Sequence, residues 1–422
     1  MRRHGGGRVN PVFAFDITCP FAYLASTQLD GVSARTGATF QWAPVLLGGL
    51  FQAAGTPQNL PGTLSPAKAR HTALDALRYA ELYGVPLVWH PRHPVRSLLQ
   101  MRVLTALSSD GVLTEAGVRA ARALYEAHWV RSASTDEPAV LAGVLSGLGL
   151  DASALLAAAE SDEVKRTLRS NTDAAAARGA FGVPTFFFTG ADGGERRIYG
   201  QDRLERLERA LSGASSGVTW KGESSPAPGA RCEFYFDFSS PFAYLGSEQI
   251  EAAAEGAELI WRPMLLGGLF RAIGQVDVPL VTFGPSKQRW MMEDLTTAAE
   301  ELGAPFRWPS RFPMRTLLPL RLVLAAPEAE RSALIHRIFR AYWAEDRDIA
   351  SESVLRELLG EDAAPYFEAA ASPEVKAALQ ASTEAAAAAG VFGAPSAVID
   401  GQVIWGQDRM RLVRRALAKR GA

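Results

Sequence analysis

Two short segments place a potentially reactive group where chemistry is easiest. Cys19 precedes Pro20, and Ser240 precedes Pro241, each between an apolar run and an amphipathic stretch. Proline is well tolerated at the first helical position, so each junction predicts a strand, a turn and a helix N-terminus. Free backbone N–H groups and the positive end of the dipole favour a thiolate, or any anion, at such a point. Each residue also fits an ordinary role. Serine is a common N-cap, and an isolated cysteine is often a small buried hydrophobe. A second proline step lies downstream in each half, Val183-Pro184 and Ala394-Pro395, just ahead of an apolar β run. These prolines are candidates for cis bonds. A cis step there leaves the backbone of Val183 or Ala394 free to pair with an extended, peptide-like ligand.

The two junctions belong to a tandem repeat. Phe15-Asp16-Ile17-Thr18-Cys19-Pro20-Phe21-Ala22-Tyr23-Leu24 returns as Phe236-Asp237-Phe238-Ser239-Ser240-Pro241-Phe242-Ala243-Tyr244-Leu245, an offset of 221 (237 − 16). Trp42 and Leu46–Phe51 return as Trp261 and Leu265–Phe270. Gly200-Gln201-Asp202-Arg203 returns as Gly406-Gln407-Asp408-Arg409, an offset of 206 (406 − 200). Order is kept while the offset shrinks, as small loop deletions would produce. Small, Pro/Gly-rich stretches on either side of Trp220 and Lys221 read as a linker. The reading gives domains over 8–211 and 231–420, joined by 212–230.

Each repeat opens with β-α-β, continues with helical stretches such as Pro66–Tyr83 and Asp162–Ala177, and closes with β-β-α. That pattern predicts an α/β fold of two thioredoxin-like domains. Each is a mixed sheet flanked by helices, with an all-α insert between its halves. Tyr23, Tyr244, Trp42 and Trp261 are expected in the cores.

The ordered set of motifs resembles the DsbA-like thioredoxin superfamily, and within it the branch of 2-hydroxychromene-2-carboxylate isomerases and kappa-class glutathione transferases. The residues that carry this are Asp237–Leu245, Leu265–Phe270, Lys287, Trp343 with Arg347-Asp348-Ile349, Phe392–Pro395 and Gly406–Arg409. The first repeat shows the same set, except that its Trp129 segment lacks the Arg-Asp-Ile run. The resemblance implies glutathione as cofactor, with Ser240 facing its sulfur and Val183-Pro184 or Ala394-Pro395 pairing with its cysteinyl backbone. It implies Asp202 and Asp408 for the γ-glutamyl ammonium, and Lys68 and Lys287 for a carboxylate. Asp202 and Asp408 equally fit helix N-caps. Arg96 and Arg315, each four residues after Arg92 or Arg311, are candidates for a substrate carboxylate, bidentate if paired.

The implied activity is a glutathione-dependent isomerase acting on a conjugated acid of aromatic-degradation type, or a kappa-type transferase. Two departures keep alternatives open. The first repeat has Cys19 where this branch has serine, and Ala22 where a resolving cysteine would stand, so a monothiol thiol–disulfide oxidoreductase is one alternative. On the glutathione-dependent reading, by contrast, Ser240 is the residue for thiolate chemistry and Cys19 the more oxidisable site. In the loops at Gly55–Asn59 and Gly274–Asp277 the glutathione-contacting Asn of the resembled family is not at its expected position, so a non-catalytic glutathione- or peptide-binding module is another.

Composition narrows the classes further. The chain has 422 residues, 44 Lys+Arg against 45 Asp+Glu, and 48% hydrophobic residues. Such near-neutrality argues against a nucleic-acid-binding surface. Two cysteines and six histidines, with no metal-binding spacing, argue for no metal site. No uncharged apolar run approaches the ~18 residues of a membrane span, so the expectation is a cytoplasmic protein with a small-molecule substrate. Two copies in one chain predict an internal pseudo-dimer.

Overall fold

The structure is a computed structural model that describes residues 10–57, 60–214, 223–275, 283–360 and 363–419. Parts of the two altered loops (58–59 and 276–277) and of the linker (215–222) lie outside the described residues, as do the domain ends at residues 8 and 420.

In the first repeat, β1 (Val12–Phe15) pairs in parallel with β2 (Gln41–Pro44), in register Phe13↔Trp42. A small hairpin, β3 (Ser108–Ser109) and β4 (Val112–Leu113), sits within the insert. The sheet is completed by β5 (Thr185–Thr189), antiparallel to β1, and β6 (Glu195–Tyr199), giving the order β2-β1-β5-β6. The second repeat repeats this with β7 (Arg231–Phe236), β8 (Glu258–Pro263), β9 (Ser396–Ile399) and β10 (Gln402–Trp405), in the order β10-β9-β7-β8. Each sheet is mixed, with the strand that leads into the reactive junction at its centre.

The central strands are nearly all apolar because both their faces are covered. Phe13 packs edge-on to Trp42 at 5.0 Å and stacks with Phe186 at 5.3 Å. Phe234 and Phe236 meet Trp261 in the same way, at 5.4 and 5.7 Å. Burying one such ring contributes roughly 1.5–3 kcal/mol. The prolines start helices as expected, Pro20–Thr36 and Pro241–Ala253. Gly37, in the left-handed region at φ 74°, ends the first of these. Helices Pro66–Tyr83 and Asp162–Ala177 also lie where the periodicity puts them. The hairpin β3–β4 and the helices Pro138–Gly147 and Ala152–Ala159 were not anticipated from the sequence pattern.

The described residues fall into two compact units. The first holds 10–57, 60–63, 73–214 and 283–287, and the second holds 64–72, 223–275, 288–360 and 363–419. The division is thus not serial. The opening turns of helix Pro66–Tyr83 belong to the second unit, and the start of helix Pro285–Leu302 belongs to the first. Among the described residues no helix is long and apolar enough to cross a membrane.

Candidate functional site

The reactive junctions share one backbone frame. Cys19 has φ −93° and ψ 115°, and Ser240 has φ −98° and ψ 116°, both extended residues just outside a helix start. Asp16 and Asp237 fix these turns from below. Asp16, fully buried, accepts from Thr18 N, Thr18 Oγ1, Leu47 N and Ser97 Oγ at 2.7–3.0 Å. Asp237 accepts from Ser239 N, Ser239 Oγ and Leu266 N, and from the Thr316 side chain. Burial pushes both carboxyls up, and these hydrogen bonds partly offset it. A tryptophan pins each turn from the other side. Trp129 Nε1 donates to Ile17 O, and Trp343 Nε1 to Phe238 O, both at 2.8 Å.

The downstream prolines close the site. Val183-Pro184 and Ala394-Pro395 are both cis, as are His93-Pro94 and Phe312-Pro313. Ser240 Oγ donates to Ala394 O at 2.9 Å and accepts from Ala243 N at 3.1 Å. It therefore acts as helix cap and as partner of the proline step at once. Cys19 Sγ donates to Val183 O at 3.3 Å but caps nothing. The backbone N–H groups of Val183 and Ala394, on residues only 3% and 6% exposed, meet no acceptor among the described residues. A buried N–H without a partner is costly, and an extended ligand's carbonyl fits it.

Cys19 differs from Ser240 electrostatically. Burial pushes its thiol up to about 12, the Asp16 charge adds to this, and the N–H groups of Ala22 and Phe21 only partly oppose it. The helix N-terminus thus loses to desolvation, and the expectation that Cys19 is readily oxidised meets a physical obstacle: the residue is a protonated, buried thiol at neutral pH. Cys232, in β7, is likewise buried and pushed up to about 12.

The remaining candidates divide between the units. Asp202 and Asp408 each pair with the next residue, Arg203 at 2.7 Å and Arg409 at 2.9 Å. Gly200 and Gly406 precede them at φ 102° and 118°, and a Cβ on either would collide with the aspartate Oδ1. Lys68 lies in the second unit, its ammonium 5.7 Å above the Trp405 ring, and burial holds it below the usual lysine range. In the same unit His71 Nε2 accepts from Trp405 N at 3.0 Å and packs on Phe392. Lys287 lies in the first unit, 3.8 Å above Phe283. Each lysine therefore belongs to the unit built mainly from the other repeat.

Arg92 is paired with Asp136 and Glu137, and Arg311 with Asp348. Arg96 and Arg315 are exposed, with no ion pair among the described residues. Each directly precedes the residue, Ser97 or Thr316, that hydrogen-bonds the buried aspartate. Sequence reasoning assigned no role to Asp16, Asp237, Ser97, Thr316 or His71. The recurrence of the aspartate three residues before Cys19 and before Ser240 was the available signal.

Thioredoxin sheets carrying this junction and this proline step define the class. The chain belongs to the DSBA-like thioredoxin domain family, which it matches over 12–212 and again over 231–418. It is 31% identical over 204 residues to 2-hydroxychromene-2-carboxylate isomerase of Pseudomonas sp. (strain C18), covering 48% of this chain and 90% of that one. It is 27% identical over 226 residues to glutathione S-transferase kappa 1 of Homo sapiens, covering 51% of this chain and 95% of that one. A solved 2-hydroxychromene-2-carboxylate isomerase aligns at 26% identity with a TM-score of 0.40, over 48% of this chain and 93% of that one. These relatives are enzymes, and each spans about half of the present chain.

Proposed function

We propose that the second unit binds glutathione and serves a glutathione-dependent isomerase of a conjugated carboxylic acid, or a kappa-type transferase. One observation carries the reading. A serine hydroxyl at a helix start donates to the carbonyl of Ala394, whose own buried N–H is unused. The residues present fit the tripeptide. The N–H and O of Ala394, held by Pro395, suit a cysteinyl backbone, Asp408 an ammonium, and Lys68 a carboxylate. When bound, glutathione supplies a nucleophilic thiolate, which leaves again in an isomerisation and stays attached in a transfer.

Ser240 has one proton and two acceptors to choose between. Rotation of its hydroxyl from the neutral Ala394 carbonyl to an anionic sulfur forms the stronger, charge-assisted bond. The N–H of Ala243 bonded to the same oxygen polarises the hydroxyl further. The N-terminus of helix Pro241–Ala253 adds its positive end. Arg315, without an ion pair among the described residues and next to Thr316, is the cation offered to a substrate carboxylate and to the charge that develops on it.

In the first unit Val183, Pro184, Asp202, Lys287 and Arg96 occupy the corresponding roles, with Cys19 replacing the hydroxyl. We assign glutathione-dependent turnover to the second unit, since a buried neutral thiol is a weak donor and a poor nucleophile at neutral pH. Turnover of 2-hydroxychromene-2-carboxylate with glutathione, and of an electrophilic transferase substrate, tests this. Ser240→Ala should lower whichever activity is found by about tenfold to a hundredfold, the worth of one hydrogen bond to a charged group. Cys19→Ser should spare it. Loss of activity in Cys19→Ser with Ser240→Ala intact would transfer the function to a monothiol oxidoreductase. We further propose that one chain does the work of a pair. Light scattering should then give a mass near 45.3 kDa, and a stable dimer would contradict it.

A further inference from the structure

Three histidines cluster in the first unit with no part in the chemistry above. The rings of His90 and His128 stack at 4.8 Å with only 6° between their planes. His93 lies 5.3 Å from Trp89 and 5.5 Å from Trp129, and His128 packs on Trp129 at 4.8 Å. His90 and His128 are 1% and 0% exposed. His90 Nδ1 accepts from Arg92 N at 3.2 Å, which puts the ring proton on Nε2. His128 Nδ1 lies 3.2 Å from Thr135 Oγ1. His90 Nε2, His93 Nδ1 and His128 Nε2 meet no hydrogen-bond partner among the described residues.

Three buried ring nitrogens without partners cost stability. The second repeat avoids that cost. Aligned through Trp89/Trp308 and Trp129/Trp343, it has Pro309, Phe312 and Tyr342 at these places. The Tyr342 hydroxyl is satisfied, donating to Arg311 O at 2.7 Å. A metal does not account for the cluster, because the stacked rings do not converge on a point. Among the described residues no group of three His, Cys, Asp or Glu side chains is arranged to hold one.

What the histidines touch suggests what they do. His93 and His128 pack on Trp129, and His90 stacks behind on His128; Trp129 Nε1 donates to Ile17 O, two residues before Cys19, and its carbonyl accepts from Val88 N at 2.7 Å. We propose that His90, His93 and His128 form an acid-operated latch on the 16–19 turn of the first unit. Neutral, His93 and His128 pack on Trp129 with His90 stacked on His128, and together they keep Cys19 covered. Protonated, they repel one another, release Trp129 from Ile17 and open Cys19 to solvent, while the second unit stays closed.

The electrostatics agree in sign. Burial is the leading cause that holds all three below the ordinary histidine value, His128 at about 4. Neighbouring imidazoles depress His93 and His128 further. The charged groups around the cluster are Arg92, between His90 and His93 in the chain, and Asp136 and Glu137, which follow His128. Arg92 opposes a further proton, Asp136 favours one, and Glu137 shares Arg92 with Asp136. Unfolded imidazoles take up a proton near pH 6.5. Between that pH and about 4 the opened state therefore binds more protons than the closed one. The latch is fully stable above about pH 6.5 and weakens as the pH falls through this window.

Labelling of the two cysteines in the full chain with a pyridyl disulfide, which reacts with thiols even in acid, reads the latch. Each thiol is converted to a mixed disulfide with release of thiopyridone, and each rate is divided by that of the urea-unfolded chain at the same pH. From pH 7.5 to 5 the normalised Cys19 rate should rise about tenfold or more, because uptake of one extra proton on opening multiplies the open population about tenfold for each pH step below 6.5. Cys232, buried in the second unit, should not follow. His128→Tyr and His93→Phe, the residues of the second repeat, should flatten the rise. A Cys19 rate independent of pH, or a parallel rise at Cys232, overturns the proposal. Should these variants fail to fold, histidine NMR titration of the unmodified chain decides. Three depressed values support the latch, and three ordinary ones refute it.

Discussion

Position 19 and position 240 occupy the same place in two copies of one scaffold, and their differences show how little of a site's chemistry the backbone decides. Both residues leave a central strand at nearly identical φ and ψ, both lie above a fully buried aspartate, and both donate to the carbonyl before a cis-proline. The hydroxyl of Ser240 also accepts the N–H of Ala243, so it is polarised and ready to donate to an anion. The thiol of Cys19 makes no cap hydrogen bond of ordinary geometry, the Ala22 and Phe21 N–H groups favour its thiolate only weakly, and burial raises it to about 12. One atom therefore separates a hydrogen-bond donor suited to a bound thiolate from a covered, neutral thiol. The surroundings diverge in the same direction, with unpartnered histidines around Trp129 and satisfied or apolar side chains around Trp343.

The comparison breaks most severely if the shared aspartate is removed. Asp237→Leu leaves the half-buried donors of Ser239 and Leu266 and the buried Thr316 hydroxyl without their acceptor, and a donor left unsatisfied in a buried site costs about 1–3 kcal/mol. Thermal unfolding should then split, with the second unit melting well below the first, and Asp16→Leu should reverse the order. A single unshifted transition in either variant would show that the aspartates do not anchor the turns. At the small end, Cys19→Ser should move the melting point by little, because serine already satisfies the same frame in the other repeat.

Much of this was legible in the sequence because local rules agreed with the repeat. Alternating Phe13 and Phe15 against Phe234 and Phe236, the proline-started helices and the fixed order of motifs placed the sheets and both junctions. Of the two readings of Ser240, cap and ligand contact, the structure shows the cap, with the same hydroxyl donating to Ala394 O, and the ligand contact belongs to the proposal. The parts that were not legible depend on contacts between residues far apart in the chain. His90, His93 and His128 are unremarkable singly, and only the packing of the Glu115–Trp129 helix brings them together. Lys68 reads as a residue of the first repeat, yet lies over Trp405 in the second unit. No periodicity reports such a placement, because it arises from which compact unit the first turns of a helix join.

The account stands on Ser240, and the position of glutathione sulfur tests it most directly. In a crystal structure of the chain with glutathione bound, the sulfur should lie within hydrogen-bonding distance of Ser240 Oγ, with the cysteinyl backbone paired to Ala394. Sulfur bound solely beside Cys19, or glutathione seated away from the Ala394-Pro395 step, would contradict the assignment of the chemistry to the second unit.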